Sequence, residues 1–341
     1  MTIQLEDPAC DHPEPDLLSR IEPYRRELLA HCYRMLGSVH DAEDIVQETY
    51  LRAWRAQDGF EGRSSLRTWL YRIATRVCLT ALEQRNRRPL PVGLDNRPAD
   101  PAETLISSPE VPWLEPIPDA ASVEYADPAA IVGARADIRL AFVAALQFLP
   151  PRQRAVLLLR DVLCWRAAEA ADLLECTVAA VNSSLQRARA RLAALDLHAE
   201  AELVLSDEDQ RAVLDRYIAA FEAKDVPAIV DLLTAEVVWE MPPFAAWYRG
   251  PEDVARHLSL RCPGGPGEFR LLLTRANGSP SVALYRWDPA VGRHRPFALQ
   301  ALTIAATGID HVVTFFDLRL FDVFGLPAEP PTSAETEPYP V

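Results

Sequence analysis

Two sets of charged residues in this sequence are spaced for binding chemistry, and they call for partners of opposite sign. Asp41, Asp44 and Glu48 recur at helical spacing and line one stripe with carboxylates. Beyond a glycine-bearing stretch the sequence turns basic: seven arginines (63, 67, 72, 76, 85, 87 and 88) stand against one acid, Glu83. Guanidinium groups suit phosphate oxygens, and an acidic stripe suits a basic protein surface. A third set, Glu240, His257, His311 and Asp317, could move a proton if an apolar pocket shifted a pKa. Tyr217, Trp239, Met241, Trp247, Tyr285 and Trp287 are available as walls of such a C-terminal pocket, although no acid–base pairing stands out. Strand alternation makes His311, Phe315 and Asp317 neighbours on one face, which alone is not a site.

Helices must position the first two sets. Ala42, Ile45, Val46, Thr49 and Ala53 form the inward face of one helix, started by a capping box at Ser38 and Asp41. The acids lie at its N-terminal end, where the helix dipole favours them. A hinge, Gly59 to Ser65, leads to a second helix with Leu66, Trp69, Leu70, Ile73 and Val77 as its buried face. Trp69 is assigned to the core. Tyr71 and Thr75 lie off that stripe beside Arg72 and Arg76 and are expected to face outward. A preceding helix, Pro23 to Leu36, carries Leu28, Cys32 and Met35 at core spacing and ends at Gly37. Tyr33, Tyr50 and Trp54 are assigned to core or a domain interface.

These strings resemble region 2 of the sigma-70 family, specifically the short extracytoplasmic-function (group 4) sigma factors. The matching residues are Asp41-Ala-Glu-Asp-Ile-Val-Gln-Glu48, Leu51-Arg-Ala-Trp54, and the run from Phe60 to Ala74. The resemblance implies that Asp41, Asp44, Ile45, Val46, Gln47 and Glu48 dock on core RNA polymerase. It implies that Arg63, Ser64, Ser65, Arg67, Tyr71, Arg72, Thr75 and Arg76 read and open the −10 element of promoter DNA. Extruding a base costs a few kcal/mol, and stacking on an aromatic returns roughly 1–3 kcal/mol.

Composition limits the alternatives. The chain has 341 residues, enough for two or three domains, and a net charge of −14. An acidic chain with local basic patches should bind free DNA poorly and need a partner to present it. Lys224 is the single lysine; with abundant Ala and Pro, this reads as coding bias rather than selection for phosphate contacts. Six scattered cysteines contain no Cys-x-x-Cys pair, so neither a disulfide framework nor a zinc site is expected. No cofactor is called for. No signal peptide or apolar run of membrane-spanning length is present, and a cytosolic protein without membrane contact is expected.

The expected organisation is multidomain: two all-α units followed by an α+β cone. Residues 1–22 form a flexible acidic tail, 23–88 the first unit, and 89–128 a proline-rich linker. Within the linker, Trp113, Leu114 and Ile117 are too apolar for a spacer and should dock on a neighbouring domain or in the polymerase RNA-exit path. Residues 129–197 form a second helical unit. There a short helix, Trp165 to Leu174, a three-residue turn and a longer helix, Val178 to Leu195, give a helix-turn-helix. Its apolar seam is Val178, Val181, Leu185, Ala188 and Leu192.

This unit resembles sigma region 4, which reads the −35 element, and Thr177, Ala180, Asn182, Ser183, Arg187 and Arg191 are the expected contacts. Two departures matter. Glu175 must take a turn conformation that glycine reaches more easily, and Asn182 and Ser184 stand where the family carries basic residues. Fewer phosphate charges should flatten the salt dependence of binding.

Residues 205–326 follow, with Ser206 and Asp209 opening a helix and strands at Val237–Met241, Phe269–Arg275, Ser281–Trp287, Phe297–Ala305 and His311–Phe321. The order resembles the SnoaL-like branch of the NTF2-like superfamily, matching at Tyr217–Phe221, Tyr248–Pro251 and Asn277–Pro280. That superfamily includes isomerases and cyclases. A regulatory pocket for a small-molecule ligand, or a surface for intramolecular contact, is favoured over catalysis, and 327–341 is expected to be a mobile tail. The rivals are a free-standing helix-turn-helix regulator, which leaves Asp41 to Arg88 without purpose, and a SnoaL-type enzyme with a DNA-binding leader.

Overall fold

The computed structural model describes residues 17–331 except 61, 63, 84–86, 95–96, 122–138 and 196–206. Arg63, Ile131, Ile138, the Ser206 cap, most of the N-terminal tail and the end of the C-terminal tail lie outside the described residues.

The first unit packs α1 (Leu17–Ile21), α2 (Arg25–Leu36), α3 (Val39–Ala56) and α4 (Leu66–Glu83). Gly37 closes α2 in the left-handed conformation (φ 71°), returning its N–H to the Tyr33 carbonyl at 2.7 Å. Ser38 then caps α3, its hydroxyl accepting from the Asp41 N–H at 3.1 Å. A side chain at position 37 would also strike linker Leu114, whose Cδ1 lies 2.8 Å from an added Cβ, so this glycine lets the linker approach.

The second unit contains α5 (Leu140–Leu146), α6 (Pro151–Leu157, continued to Val162 by a wider turn), α7 (Ala167–Leu173) and α8 (Val178–Ala193). Glu175 has φ 53° in the turn between α7 and α8, the conformation its position demanded. The seam of α8 is shorter than its spacing implies. Val178 is 43% exposed because it opens the helix beyond the reach of α7, and Trp165 precedes α7 and packs in the core.

The third unit begins with α9 (Asp207–Glu222) and α10 (Val226–Val230), followed by β1 (Leu233–Glu240), β2 (Trp247–Arg249) and α11 (Pro251–Leu260). Then come β3 (Phe269–Ala276), β4 (Ser279–Asp288), β5 (Arg293–Ala305), β6 (Gly308–Phe315) and α12 (Arg319–Val323). The sheet order is β2-β1-β6-β5-β4-β3, with β1 and β6 parallel and the other pairs antiparallel. The last strand is shorter than expected: it stops at Phe315, and Arg319–Val323 coils back as a helix whose Leu320 and Phe321 are buried.

Alternation along these strands fills two faces. Trp239, Leu284, Leu302 and Val312 join Tyr217 beneath the helices of the third unit. Ala283, Tyr285, Leu299, Ala301, Val313 and Phe315 point the other way, into one apolar core shared with both helical units and the linker. The sheet's outer face therefore serves as the floor on which the helical units rest.

Candidate nucleic-acid interface

Five residues of the acidic helix α3 divide by their angle around its axis. Asp44 and Gln47 are exposed, Glu48 is half-buried and pairs with Arg52 at 2.7 Å, Ile45 is half-buried, and Val46 is core. Asp41 is held by Arg88. Two large apolar residues of the same helix also reach solvent: Leu51 is 49% and Trp54 54% exposed. Asp44, Gln47, Leu51 and Trp54 follow a 3-4-3 spacing, one continuous helix face bearing a carboxylate, an amide and two large apolar groups. That spacing, displaced from the Ala42–Ala53 core stripe, was the available signal, and Trp54, assigned to core or a domain interface, is not in the core.

Helix α4 places its basic side chains more tightly than expected. Ser64 and Ser65 are exposed in the hinge, and the Ser65 hydroxyl accepts from the Thr68 N–H at 3.1 Å, capping α4. Arg67 donates to Glu27 at 2.8 Å and lies over the Tyr71 ring, 4.9 Å from its centroid. Tyr71 and Thr75 do not face outward: Tyr71 is 1% exposed and Thr75 fully buried. The Thr75 hydroxyl is hydrogen-bonded to His31 Nε2 at 2.9 Å, and the Tyr71 ring meets Trp165 of the second unit edge-on at 5.9 Å. The physical reason is that α4 is covered twice, by α2 and by the second helical unit, so its buried arc exceeds the apolar stripe. Burial, aided by the Arg34 and Arg67 charges, lowers the His31 pKa to about 3 and keeps that ring neutral. Trp69 packs at the edge of the core, half-buried, with Phe60 against its ring at 4.8 Å.

The outward arginines of α4 meet the helix-turn-helix. Arg72 pairs with Asp172 of α7, and Arg76 with Glu175 of the turn at 2.6 Å. Behind these exposed pairs lies a buried one-way contact: the Arg154 guanidinium donates to the Met35 carbonyl at the end of α2 and to Gln147 Oε1 at 2.7 Å. The outward face of α8 stays open. Thr177, Ala180, Asn182, Ser183, Arg187 and Arg191 are all exposed, with Thr177 capping the helix through the Ala180 N–H at 3.1 Å and Arg187 donating to Ser183 at 2.6 Å.

The six residues offered as pocket walls are not brought together. Tyr217, Trp239 and Met241 pack in the core under the helices, and the Tyr217 hydroxyl donates to Gln300 at 2.9 Å. Trp247 is buried on the short strand β2, while Tyr285 points to the outer face and donates to the Pro327 carbonyl at 2.8 Å. Trp287 is 39% exposed. The acid–base candidates also scatter: His257 stacks on Tyr248, and burial together with Lys224 and Arg261 lowers its pKa to about 4. One pairing does form, which the sequence did not show: His311 Nε2 lies 2.7 Å from Glu240 Oε1. It arises because β1 and β6 are parallel neighbours. The other oxygen of Glu240 accepts the linker N–H of Val92 at 2.7 Å, so this pair fastens the linker.

The linker docks on neighbouring domains. Leu114 and Ile117 are buried, and Trp113 is half-buried. Asn277, at φ 55° in the β3–β4 hairpin, donates to the Tyr33 hydroxyl at 2.9 Å and exchanges hydrogen bonds with Ile117 at 2.9 and 3.1 Å. Tyr33 in turn donates to the Glu115 carbonyl at 2.7 Å.

Three family models match in this order: Sigma-70 region 2 over residues 20–88, Sigma-70 region 4 over 139–192, and a SnoaL-like domain over 214–319. The ECF RNA polymerase sigma factor SigG of Mycobacterium tuberculosis is 54% identical over 323 residues, covering 94% of this chain and 86% of SigG. The chain belongs to the ECF sigma factor family. SigJ of the same organism is 31% identical over 261 residues, 74% of this chain and 75% of SigJ. The crystal structure of SigJ superposes with a TM-score of 0.59 at 26% identity, over 92% of this chain and 100% of that one. This sigma factor therefore carries region 2, region 4 and a SnoaL-like extension on one chain. Among its described residues no helix is long and apolar enough to cross a membrane.

Proposed function

We propose that this sigma factor rests in a closed arrangement and opens on core RNA polymerase, with the SnoaL-like domain acting as an intramolecular scaffold rather than an enzyme. The observation that carries this reading is the pairing of Arg72 and Arg76, the promoter-facing arginines of region 2, with Asp172 and Glu175 of region 4. While those pairs stand, the guanidinium groups cannot turn to DNA phosphates. Region 2 offers Asp44, Gln47, Glu48, Leu51 and Trp54 to the polymerase, and region 4 offers Thr177, Ala180, Asn182, Ser183, Arg187 and Arg191 to the −35 element. Arg63, Ser64, Ser65 and Arg67 complete the −10 surface once region 4 moves away. A non-catalytic SnoaL-like domain is supported by the dispersal of its aromatic residues and by the use of Glu240 to hold Val92. A cytoplasmic location follows from these partners.

The experiment is run-off transcription with core polymerase, comparing the full chain with one lacking residues 205–341. Promoter output should differ between the two, because deletion removes the floor under Leu114 and Ile117. Equal output in both directions of comparison would remove the scaffold role.

A further inference from the structure

Where region 2, the linker and the SnoaL-like domain meet, each contributes one potential metal ligand. His40 stands in the first turn of α3, Glu115 lies in the linker, and Asp317 follows β6. One ligand atom from each lies within 4.8 Å of the others. All three side chains are half-buried, so they reach solvent without being dispersed by it. They border a cavity of about 470 Å³ whose other walls include Arg88, Trp113, Phe316 and Arg319. The cavity gives an ion a way in and room for water ligands.

The local charge favours a cation. Asp41, Glu115 and Asp317 supply three carboxylates, and Arg88 and Arg319 two guanidinium groups, which leaves one negative charge unmatched. Arg319 donates to both oxygens of the Asp317 carboxylate, from its side chain at 2.6 and 3.0 Å and from its backbone N–H at 3.0 Å, and Ser38 and His40 both approach Glu115 Oε2, at 2.7 and 2.9 Å. Glu115 Oε1 lies 4.0 Å from Arg88, beyond hydrogen-bond length. A carboxylate has about four lone-pair sites, so Glu115 keeps its Oε1 for an ion while Asp317 would share its oxygens between the ion and Arg319. One imidazole with two carboxylates suits a borderline divalent metal such as Zn²⁺, Mn²⁺ or Co²⁺ better than Mg²⁺ or Ca²⁺, which prefer all-oxygen sites.

We infer that His40, Glu115 and Asp317 form a divalent transition-metal site that ties region 2 and the linker to the SnoaL-like domain. No spaced motif announces the site, because the ligands come from three distant segments. A metal here would fasten all three segments at once and strengthen the closed arrangement.

The test is calorimetric titration of the metal-free full chain with Zn²⁺ and Co²⁺, alongside Glu115→Gln and Asp317→Asn. The expected result is one saturable equivalent, weakened roughly tenfold or more in each variant. Metal should also raise the melting temperature of the wild type and not of the variants. The Co²⁺ spectrum should lack thiolate charge-transfer absorption, which separates this site from the exposed Cys164. Metal-free melting curves of the variants close to that of the wild type show that they fold. Absence of saturable binding, binding unchanged in both variants, or a thiolate band on the bound equivalent would overturn the assignment.

Discussion

Asp172→Arg combined with Glu175→Arg is expected to expand the molecule. The two substitutions set four guanidinium groups against one another where two ion pairs now stand. The acids are mostly exposed, 71% and 75% of their side chains, so screening keeps each effect small. Each reversal swings an exposed pair by on the order of 1 kcal/mol. Together they should move the closed-to-open balance by roughly tenfold or more. Opening will not be complete, because Tyr71 against Trp165 and Arg154 on the Met35 carbonyl still hold the units. Small-angle scattering reads the change as a larger radius of gyration, greatest at low salt. Adding Arg72→Glu and Arg76→Glu should restore compaction by exchanging the signs. An unchanged radius in the double variant, or no recovery in the quadruple one, would show that these pairs do not hold the units together.

Trp54→Ala should weaken assembly with core polymerase by about 2 kcal/mol, roughly 30-fold, while leaving the fold intact. A large apolar ring exposed on a helix face beside Leu51, Gln47 and Asp44 has the composition of a buried anchor in a complex. The free protein loses little, because Trp54 is already 54% exposed. The measurement is the dissociation constant for core enzyme, with Asp44→Arg plus Glu48→Arg as the charged counterpart. Wild-type affinity in both variants would place the polymerase contact elsewhere.

Much of this arrangement was legible in the chain before its structure. Helical spacing located α2, α3 and α4, Gly37 and Ser38 marked the junction of α2 and α3, and Glu175 marked the turn between α7 and α8, through side-chain and backbone rules that act locally. The face of α8 was legible too, because a helix-turn-helix leaves one side of its second helix open. What failed depended on packing between units. Tyr71 and Thr75 are off the apolar stripe of α4, yet the second unit covers Tyr71 and α2 covers Thr75, and no periodicity within a helix reports what lands on its far side. Trp54, assigned to core or a domain interface, is exposed instead, since an apolar residue is placed inside unless a partner is known to need it. The Glu240–His311 pair required the parallel β1–β6 neighbourhood, a topological fact that strand alternation cannot supply. The convergence of His40, Glu115 and Asp317 likewise exists only once the linker has docked.

The proposed closed arrangement requires region 2 and region 4 to be folded against one another in the free protein and apart on the enzyme. Fluorophores introduced as unnatural amino acids at the exposed positions Thr80 of α4 and Gln186 of α8 report that separation by energy transfer. High transfer in the free protein, falling sharply when core polymerase is added, is the predicted result. Low transfer in the free protein, or transfer that core polymerase leaves unchanged, would contradict it.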